Sequence, residues 1–146
     1  MTPIIRLALR QDIPIVHDMI GQLARFHGDD PTISPLVLER LLFDQMQGRV
    51  WLAQVAGVQV GYALVLERAN LVTGGMGHDI NHLFVVEAHR AKGVGRALIA
   101  AVRAASEDAE FLVIGTHPAN LGAQAAYRAM GLEEAPLSGP RFRIRL

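Results

Sequence analysis

The sequence predicts an α/β fold in one domain, residues 1–146, with a mixed, mostly antiparallel sheet and helices on both faces. Three observations predict it. Apolar residues recur at helical spacing in two early segments. The next twenty residues read as β-rich runs joined by a short turn. A later strand, helix and strand follow in an order that requires a crossover connection. The predicted order is β-α-α-β-β-β-α-β-α-β.

The first third of the chain predicts one strand and two helices. "PIIRLAL" predicts the strand. Asp12 can cap the next helix, with Pro14 in its first turn, and Gly28 ends it. The apolar positions of this helix are Ile13, Val16, Ile20 and Leu23. The second helix is predicted from Ser34 to Gly48, with an apolar stripe at Val37, Leu38, Leu41 and Leu42.

The remaining elements are bounded by glycine-containing turns. "RVWLAQVAGVQVGYALVLER" predicts a hairpin that turns near Ala56 and Gly57. "HDINHLFVVE" predicts a fourth strand, and a helix begins near Gly93. A buried strand, "EFLVIGT", follows. The final elements are a helix capped by Asn120 and a terminal strand, "PRFRIRL".

Composition excludes several classes of function. Fourteen Lys and Arg balance fourteen Asp and Glu, so no global field favours nucleic acid or an anionic membrane. The absence of cysteine excludes disulfides, thiolate metal sites and a cysteine nucleophile. His78 and His82 lie four apart in a strand pattern, which does not predict a metal site. No apolar run approaches the ~20 residues of a membrane span, and no signal-peptide core is present, so we expect a cytoplasmic protein.

A glycine-punctuated turn, "EAHRAKGVGRALIAAV", precedes a helical pattern and predicts an anion site. The first amides of a helix lack internal partners, and Gly93 and Gly95 allow an anion to approach them. Arg90, Lys92 and Arg96 add positive charge. The familiar nucleotide loops do not fit. No G-x-x-x-x-G-K-[ST] string exists, and the third glycine of a dinucleotide loop is replaced by Leu98.

The R-x-x-G-x-G string after "LFVVEAH" resembles the acyl-CoA loop of the GNAT superfamily of N-acetyltransferases. "NLGAQAAYRAMGL", with Asn120, Ala123, Tyr127 and Gly131, is similar to a later motif of that family. The resemblance implies that the main chain of the glycine turn binds the CoA pyrophosphate and that an exposed strand edge pairs with the pantetheine arm. The implied cofactor-binding residues are Leu83, Phe84, Val85, Arg90, Ala91, Lys92, Gly93, Val94, Gly95, Arg96 and Asn120. Asn120 has helix capping as an alternative role.

The resemblance also implies the catalytic groups. Periodicity alone favours Tyr127 as a core aromatic, whereas the resemblance implies that its hydroxyl protonates the departing CoA thiolate. Many relatives carry a glutamate base where this chain has Asn81. We therefore expect Asn81 to hold a water, with Asp79 or His82 taking the proton of the amine. Strict alternation would put Asp79 and Asn81 on one face of the strand and His82 on the other.

These features predict an acetyl-CoA-dependent N-acetyltransferase that acts on a primary amine of a small molecule by direct attack, without an acyl-enzyme. "LARFHGDDPTISPLVLERLLF" resembles the polyamine and diamine branch, in which Asp29 and Asp30 could attract a cationic amine. The alternatives are a non-catalytic acyl-CoA sensor and a protein or peptide acetyltransferase. Homodimers are common in the family.

Overall fold

The computed structural model describes residues 2–135 and 140–146. They divide into two compact units, Met1–Gly115 and Thr116–Leu146. Among the described residues, the first contains a sheet, three α-helices and short 3-10 turns at Arg10–Asp12 and Glu87–His89, and the second contains one α-helix. In the described ranges, no helix is both long enough and apolar enough to cross a bilayer.

The first unit is built on a five-stranded sheet in the order β1-β2-β3-β4-β5. Every neighbouring pair is antiparallel except β4 and β5, which are parallel and joined through a helix, as the crossover predicted. The predicted mixed, mostly antiparallel sheet is thus confirmed. The strands are β1 Ile4–Leu7, β2 Arg49–Val55, β3 Val58–Ala69, β4 Met76–Val85 and β5 Phe111–Ile114.

Helices cover both faces of this sheet. They are α1 Ile13–Phe26, α2 Pro35–Glu39, which continues as a π-helical turn over Arg40–Asp44, and α3 Val94–Ala104. One face of β2, β3 and β4 packs against α1 and α2 in a core of Ile13, Val16, Met19, Leu38, Leu42, Val50, Leu52, Tyr62 and Phe84. The side chains of α3 that are buried on the opposite face are Val94, Leu98, Ile99 and Val102.

The hairpin between β2 and β3 confirms the predicted turn. Ala56 and Gly57 both have positive φ angles, 51° and 80°, which are typical of a type I′ turn between antiparallel strands. The second predicted helix is shorter than expected. Its N-cap residue is Ser34, as predicted, but the helix ends at Asp44 rather than at Gly48.

Asp12 does not cap α1 as predicted. Its carboxylate instead accepts from the amide of Leu9 at 2.7 Å and from both terminal nitrogens of Arg6, at 2.7 and 3.0 Å. The Arg6 guanidinium lowers the pKa of the Asp12 carboxyl. Asp12 is buried, so this bidentate pair ties the end of β1 to the start of α1.

The second unit contains α4, Leu121–Ala129. As predicted, the Asn120 side chain caps it by accepting from the amide of Ala123 at 3.1 Å, and Gly131 follows its end with a φ of 86°.

The predicted terminal strand is wrong. Residues 140–146 form no strand in the described part of the chain, and Phe142 and Ile144 are 93% and 84% exposed. Alternation of arginine with apolar residues satisfies the side-chain pattern of a strand, but a strand also needs a partner for its main-chain groups. No described segment pairs with this one.

We expect Asp12→Asn to lower the free energy of unfolding by about 1.5–3 kcal/mol at pH 7, the usual contribution of hydrogen bonds to a buried charge. Because the folded pKa of Asp12 is lowered, its contribution is fully present above the ordinary carboxyl pKa and is lost as pH falls through the folded value. Urea denaturation at pH 7 and at acid pH measures this. The difference in the free energy of unfolding between wild type and variant should disappear at acid pH.

The matched control is Asp44→Asn, which removes an exposed partner of Arg10. Its effect at pH 7 should be much smaller, because solvent screens the pair. Equal effects of the two substitutions would contradict a special role for Asp12.

Candidate active site

β4 has different neighbours along its two edges. It pairs with β3 from Met76 to Val85, but with β5 only from Gly77 to Ile80. Beyond Ile80, no strand of the described chain lies along the β5 side. Residues 81–85 therefore form an open strand edge in the middle of the molecule's sheet.

A β-bulge at Asn81 marks the start of this open edge. His82 opposes Leu64 and Ile80 opposes Val65, so Asn81 has no register partner on β3. Asn81 is exposed. A bulge bends its strand and increases the local twist, which explains why β4 and β5 stop pairing at this point.

The main chain of the open edge presents alternate groups outward. The amide of Val86 donates to the carbonyl of Val60 at 2.9 Å, so these residues form a hydrogen-bonded pair. In an antiparallel ladder such pairs alternate with non-bonded ones, which makes Tyr62 and Phe84 the next bonded pair. The main-chain groups of Leu83 and Val85 consequently point away from β3, toward the open side.

The start of α3 supplies unpaired amides. Gly93 precedes the helix with a φ of 85°, and Ala91 also has a positive φ, 58°. The first intrahelical bond runs from the amide of Ala97 to the carbonyl of Gly93. The amides from Gly93 to Arg96 donate to no acceptor among the described residues. Such a row of amides at a helix N-terminus binds anions.

Gly95 joins the helix start to the open edge. A Cβ placed on Gly95 would lie 3.9 Å from both the Leu83 and the Val85 side chains. The start of α3 therefore lies within van der Waals reach of these two strand residues. The amides of α3 and the outward groups of β4 thus border one continuous surface.

The three cations of the turn have different environments. Arg90 donates from Nε to the Val85 carbonyl at 2.8 Å, and its guanidinium lies over the rings of Phe26 and Phe84, at 5.1 and 5.8 Å from their centroids. It therefore ties the turn to β4 and to the end of α1. Lys92 and Arg96 are exposed and form no ion pair with a described residue.

The bulge overturns the expected distribution of polar groups on β4. Asp79 opposes Leu66 and His82 opposes Leu64, and opposing residues share a face of the sheet. Because Leu64 and Leu66 are two apart on a regular strand, Asp79 and His82 lie on the same face. The expectation that they lie on opposite faces is wrong, because strict alternation fails across an extra residue.

Asp79 and His82 are both shielded from solvent, with different partners. The Asp79 carboxylate lies 3.5 Å from Nε of Arg68, and its side chain is 12% exposed. His82 Nδ1 lies 3.1 Å from the hydroxyl of Tyr62. Burial lowers the pKa of His82, and an electrostatic interaction with His27 lowers it further. Both effects favour the neutral form of the His82 imidazole.

In the second unit, Tyr127 lies on α4 and is partly buried. No described group forms a hydrogen bond with its hydroxyl. Burial raises the pKa of this phenol, so it keeps its proton throughout the neutral range and is able to donate it. The side chain of Asn120 is already used by the helix cap.

Comparison with known proteins identifies the family. The sequence matches the family model of the acetyltransferase (GNAT) family over residues 19–132. The chain belongs to the GNAT family of acetyltransferases. It is an N-acetyltransferase, and its family uses acetyl-CoA as the acyl donor. No curated protein matches the sequence at a significant level.

Solved structures share the fold of this acetyltransferase. A possible acetyltransferase from Clostridium difficile 630 has a TM-score of 0.83 at 18% identity and covers 100% of both chains. Aminoglycoside N-acetyltransferase AAC(6')-Iy, in complex with CoA, has a TM-score of 0.82 at 23% identity and covers 99% of this chain and 96% of its own. A ribosomal-protein-alanine N-acetyltransferase from Brucella melitensis biovar Abortus 2308 has a TM-score of 0.76 at 22% identity and covers 99% of this chain and 100% of its own.

Within the acetyltransferase, the structure brings together most of the residues expected to bind the donor. The glycine turn, Leu83 and Val85 border one surface, whereas the main chain of Phe84 faces β3. Sequence reasoning missed Tyr62, because nothing in "GYALVLER" shows that its hydroxyl meets His82. No group of three metal-binding side chains occurs among the described residues.

We expect Gly95→Val in this acetyltransferase to weaken the binding of CoA by more than about tenfold, because the side chain would occupy the surface over Leu83 and Val85. Isothermal titration calorimetry measures the dissociation constant.

The matched control is Ala100→Val, on the exposed face of the same helix. It introduces the same β-branched residue at a position whose side chain faces solvent. The control should bind CoA like the wild type, and equal affinities for all three proteins would contradict the position assigned to the donor.

Proposed function

We propose that this enzyme transfers the acetyl group of acetyl-CoA to a primary amine of a small molecule, by direct attack in a ternary complex, and that the whole chain acts as one domain. The observation that carries the proposal is the continuous surface between the amides of α3 and the open edge of β4. A diphosphate suits the amides, and an extended, amide-containing arm suits the edge.

The residues of this surface would hold the donor in a defined direction. Amides of residues 93–96 would bind the diphosphate, with Lys92 and Arg96 adding charge at the rim. The outward groups of Leu83 and the outward amide of Val85 would pair with the pantetheine arm as a neighbouring strand does, while the Val85 carbonyl already accepts from Arg90. The direction of that pairing would bring the acyl end toward the bulge at Asn81.

Acetyl transfer then needs two proton movements. The amine nitrogen attacks the thioester carbon, and the carbon–sulfur bond breaks. Tyr127 would give a hydrogen bond or its proton to the departing thiolate, and its raised pKa keeps the phenol protonated at neutral pH until that step. The amine proton would leave through a water held by Asn81 to Asp79 or His82.

Two features support a small cationic acceptor. Asp29 and Asp30 are exposed in the loop after α1 and can attract positive charge. A structural neighbour, AAC(6')-Iy, is an aminoglycoside N-acetyltransferase. The Brucella neighbour, a ribosomal-protein-alanine N-acetyltransferase, favours the second candidate function, acetylation of a peptide amino terminus.

We expect Tyr127→Phe to lower kcat by about 10²- to 10⁴-fold, the usual contribution of a positioned acid. Release of CoA can be followed with a thiol reagent, since the protein contains no cysteine. Calorimetry provides the control: CoA affinity should stay unchanged. An unchanged kcat would remove Tyr127 from the mechanism.

The acceptor is tested with a panel of polyamines, aminoglycosides, amino acids and alanine-terminated peptides. We expect turnover on small polycationic amines. The double variant Asp29→Asn, Asp30→Asn should raise KM for them with kcat retained, because it removes attraction and leaves the chemistry unchanged.

The matched control for the panel is Glu107→Gln with Asp108→Asn, another exposed acidic pair, which should leave KM unchanged. Turnover restricted to peptides would replace the small-molecule acceptor by a peptide. Binding of CoA without turnover on any amine would favour an acyl-CoA sensor instead.

A further inference from the structure

Tyr62 on β3 and His82 on β4 form a polar contact beside the apolar core, next to the strand residues of the open edge. Tyr62 is 0% exposed. Its hydroxyl lies 3.1 Å from His82 Nδ1, and the two rings are nearly perpendicular, at 77°, with centroids 6.0 Å apart. None of the steps described above uses Tyr62.

The direction of this hydrogen bond follows from the number of available partners. A phenol carries one proton, and a buried hydroxyl needs an acceptor for it. Among the described residues, His82 Nδ1 is the only hydrogen-bond partner of the Tyr62 hydroxyl. Tyr62 therefore donates, Nδ1 accepts with its lone pair, and the neutral imidazole carries its own proton on Nε2.

We infer that Tyr62 is a positioning residue that holds His82 as a neutral hydrogen-bond donor at Nε2, so that the amine proton of acetyl transfer passes to Asp79. The catalytic part of this inference rests on the proposed function. The contact itself, and the tautomer that it sets, do not depend on the identity of the acceptor.

The charged form of His82 is disfavoured by the same contact. An imidazolium would carry an N–H on Nδ1 that faces the phenol O–H, and one of the two donors would lose its partner. Burial also lowers the pKa of His82, in the direction that this argument requires. Among the described residues, the titratable and charged groups on the side of His82 include Tyr62 from β3, His27 after α1 and the pair of Asp79 with Arg68 on the same face. Arg90 lies further along this face, over the ring of Phe84.

Asp79 is the other candidate proton acceptor on this face. It lies two register positions along β3 from His82, about 7 Å at the usual rise of a strand, which one water can bridge. Its carboxylate lies beside Arg68 and has further lone pairs. A donor at His82 and an acceptor at Asp79 would together orient a water placed at Asn81.

Nuclear magnetic resonance tests the tautomer without substrate. Long-range proton–nitrogen spectra of the uniformly labelled full chain distinguish protonated from unprotonated ring nitrogens, and His82→Gln assigns the signal among the six histidines. We expect His82 to carry its proton on Nε2 and to titrate below 6.5. In Tyr62→Phe, the neutral form loses a hydrogen bond, so the pKa should rise by about half to one pH unit and both tautomers should appear.

The matched control for Tyr62→Phe is Leu52→Val, because Leu52 opposes Tyr62 in the register and alters the same core layer. Its His82 titration should match the wild type. A proton on Nδ1 in the wild type, or a His82 titration unchanged by Tyr62→Phe, would overturn the inference.

Kinetics test the consequence for catalysis. Gln retains a donor near the position of Nε2 but is no base, so His82→Gln should lower kcat much less than Asp79→Asn, which should lower it by about 10²- to 10⁴-fold. The reverse order, or an unaffected Asp79→Asn, would contradict the inference. Absence of acetyl transfer by the wild type to any amine would instead remove the proposed function and leave the spectroscopic result standing.

Discussion

At Asn81 two residues of β4 occupy the space of one register position on β3, and the organisation of the site depends on this extra residue. It ends the pairing of β4 with β5, so that the main-chain groups of Leu83 and Val85 are left without a strand partner on one side. It also places Asp79 and His82 on one face. In the proposed mechanism, donor binding and proton transfer are therefore linked through a single irregularity of the main chain.

The proposed donor surface consists mainly of fixed main-chain dipoles. Amides at the start of α3 and on the edge of β4 are held by their secondary structure, so they need no reorganisation to bind an anion or an extended amide. Arg90, in the turn before α3, holds this turn against β4 by donating a hydrogen bond to the Val85 carbonyl. Ala91 and Gly93 have positive φ angles, and the turn that contains them leads directly into the helix start, whose first amides donate to no described acceptor.

Much of this architecture is readable from the sequence, because helix periodicity and glycine turns are local signals. The helix start at Gly93, the hairpin at Ala56 and the Asn120 cap were all predicted correctly. The bulge was not, since alternation along "HDINHLFV" looks regular and the register depends on β3. The partner of Asp12 and the contact of Tyr62 with His82 are likewise tertiary. The terminal strand failed because a strand pattern does not specify a pairing partner.

The account rests on the claim that the open edge of β4 and the start of α3 together hold acetyl-CoA. A crystal structure of the full chain with CoA tests it most directly. The account predicts the diphosphate on the amides of residues 93–96, with pantetheine amides bonded to the main chain of Leu83 and Val85. CoA bound at another place would contradict it, and so would a complex in which another segment of the protein pairs with residues 81–85 of β4.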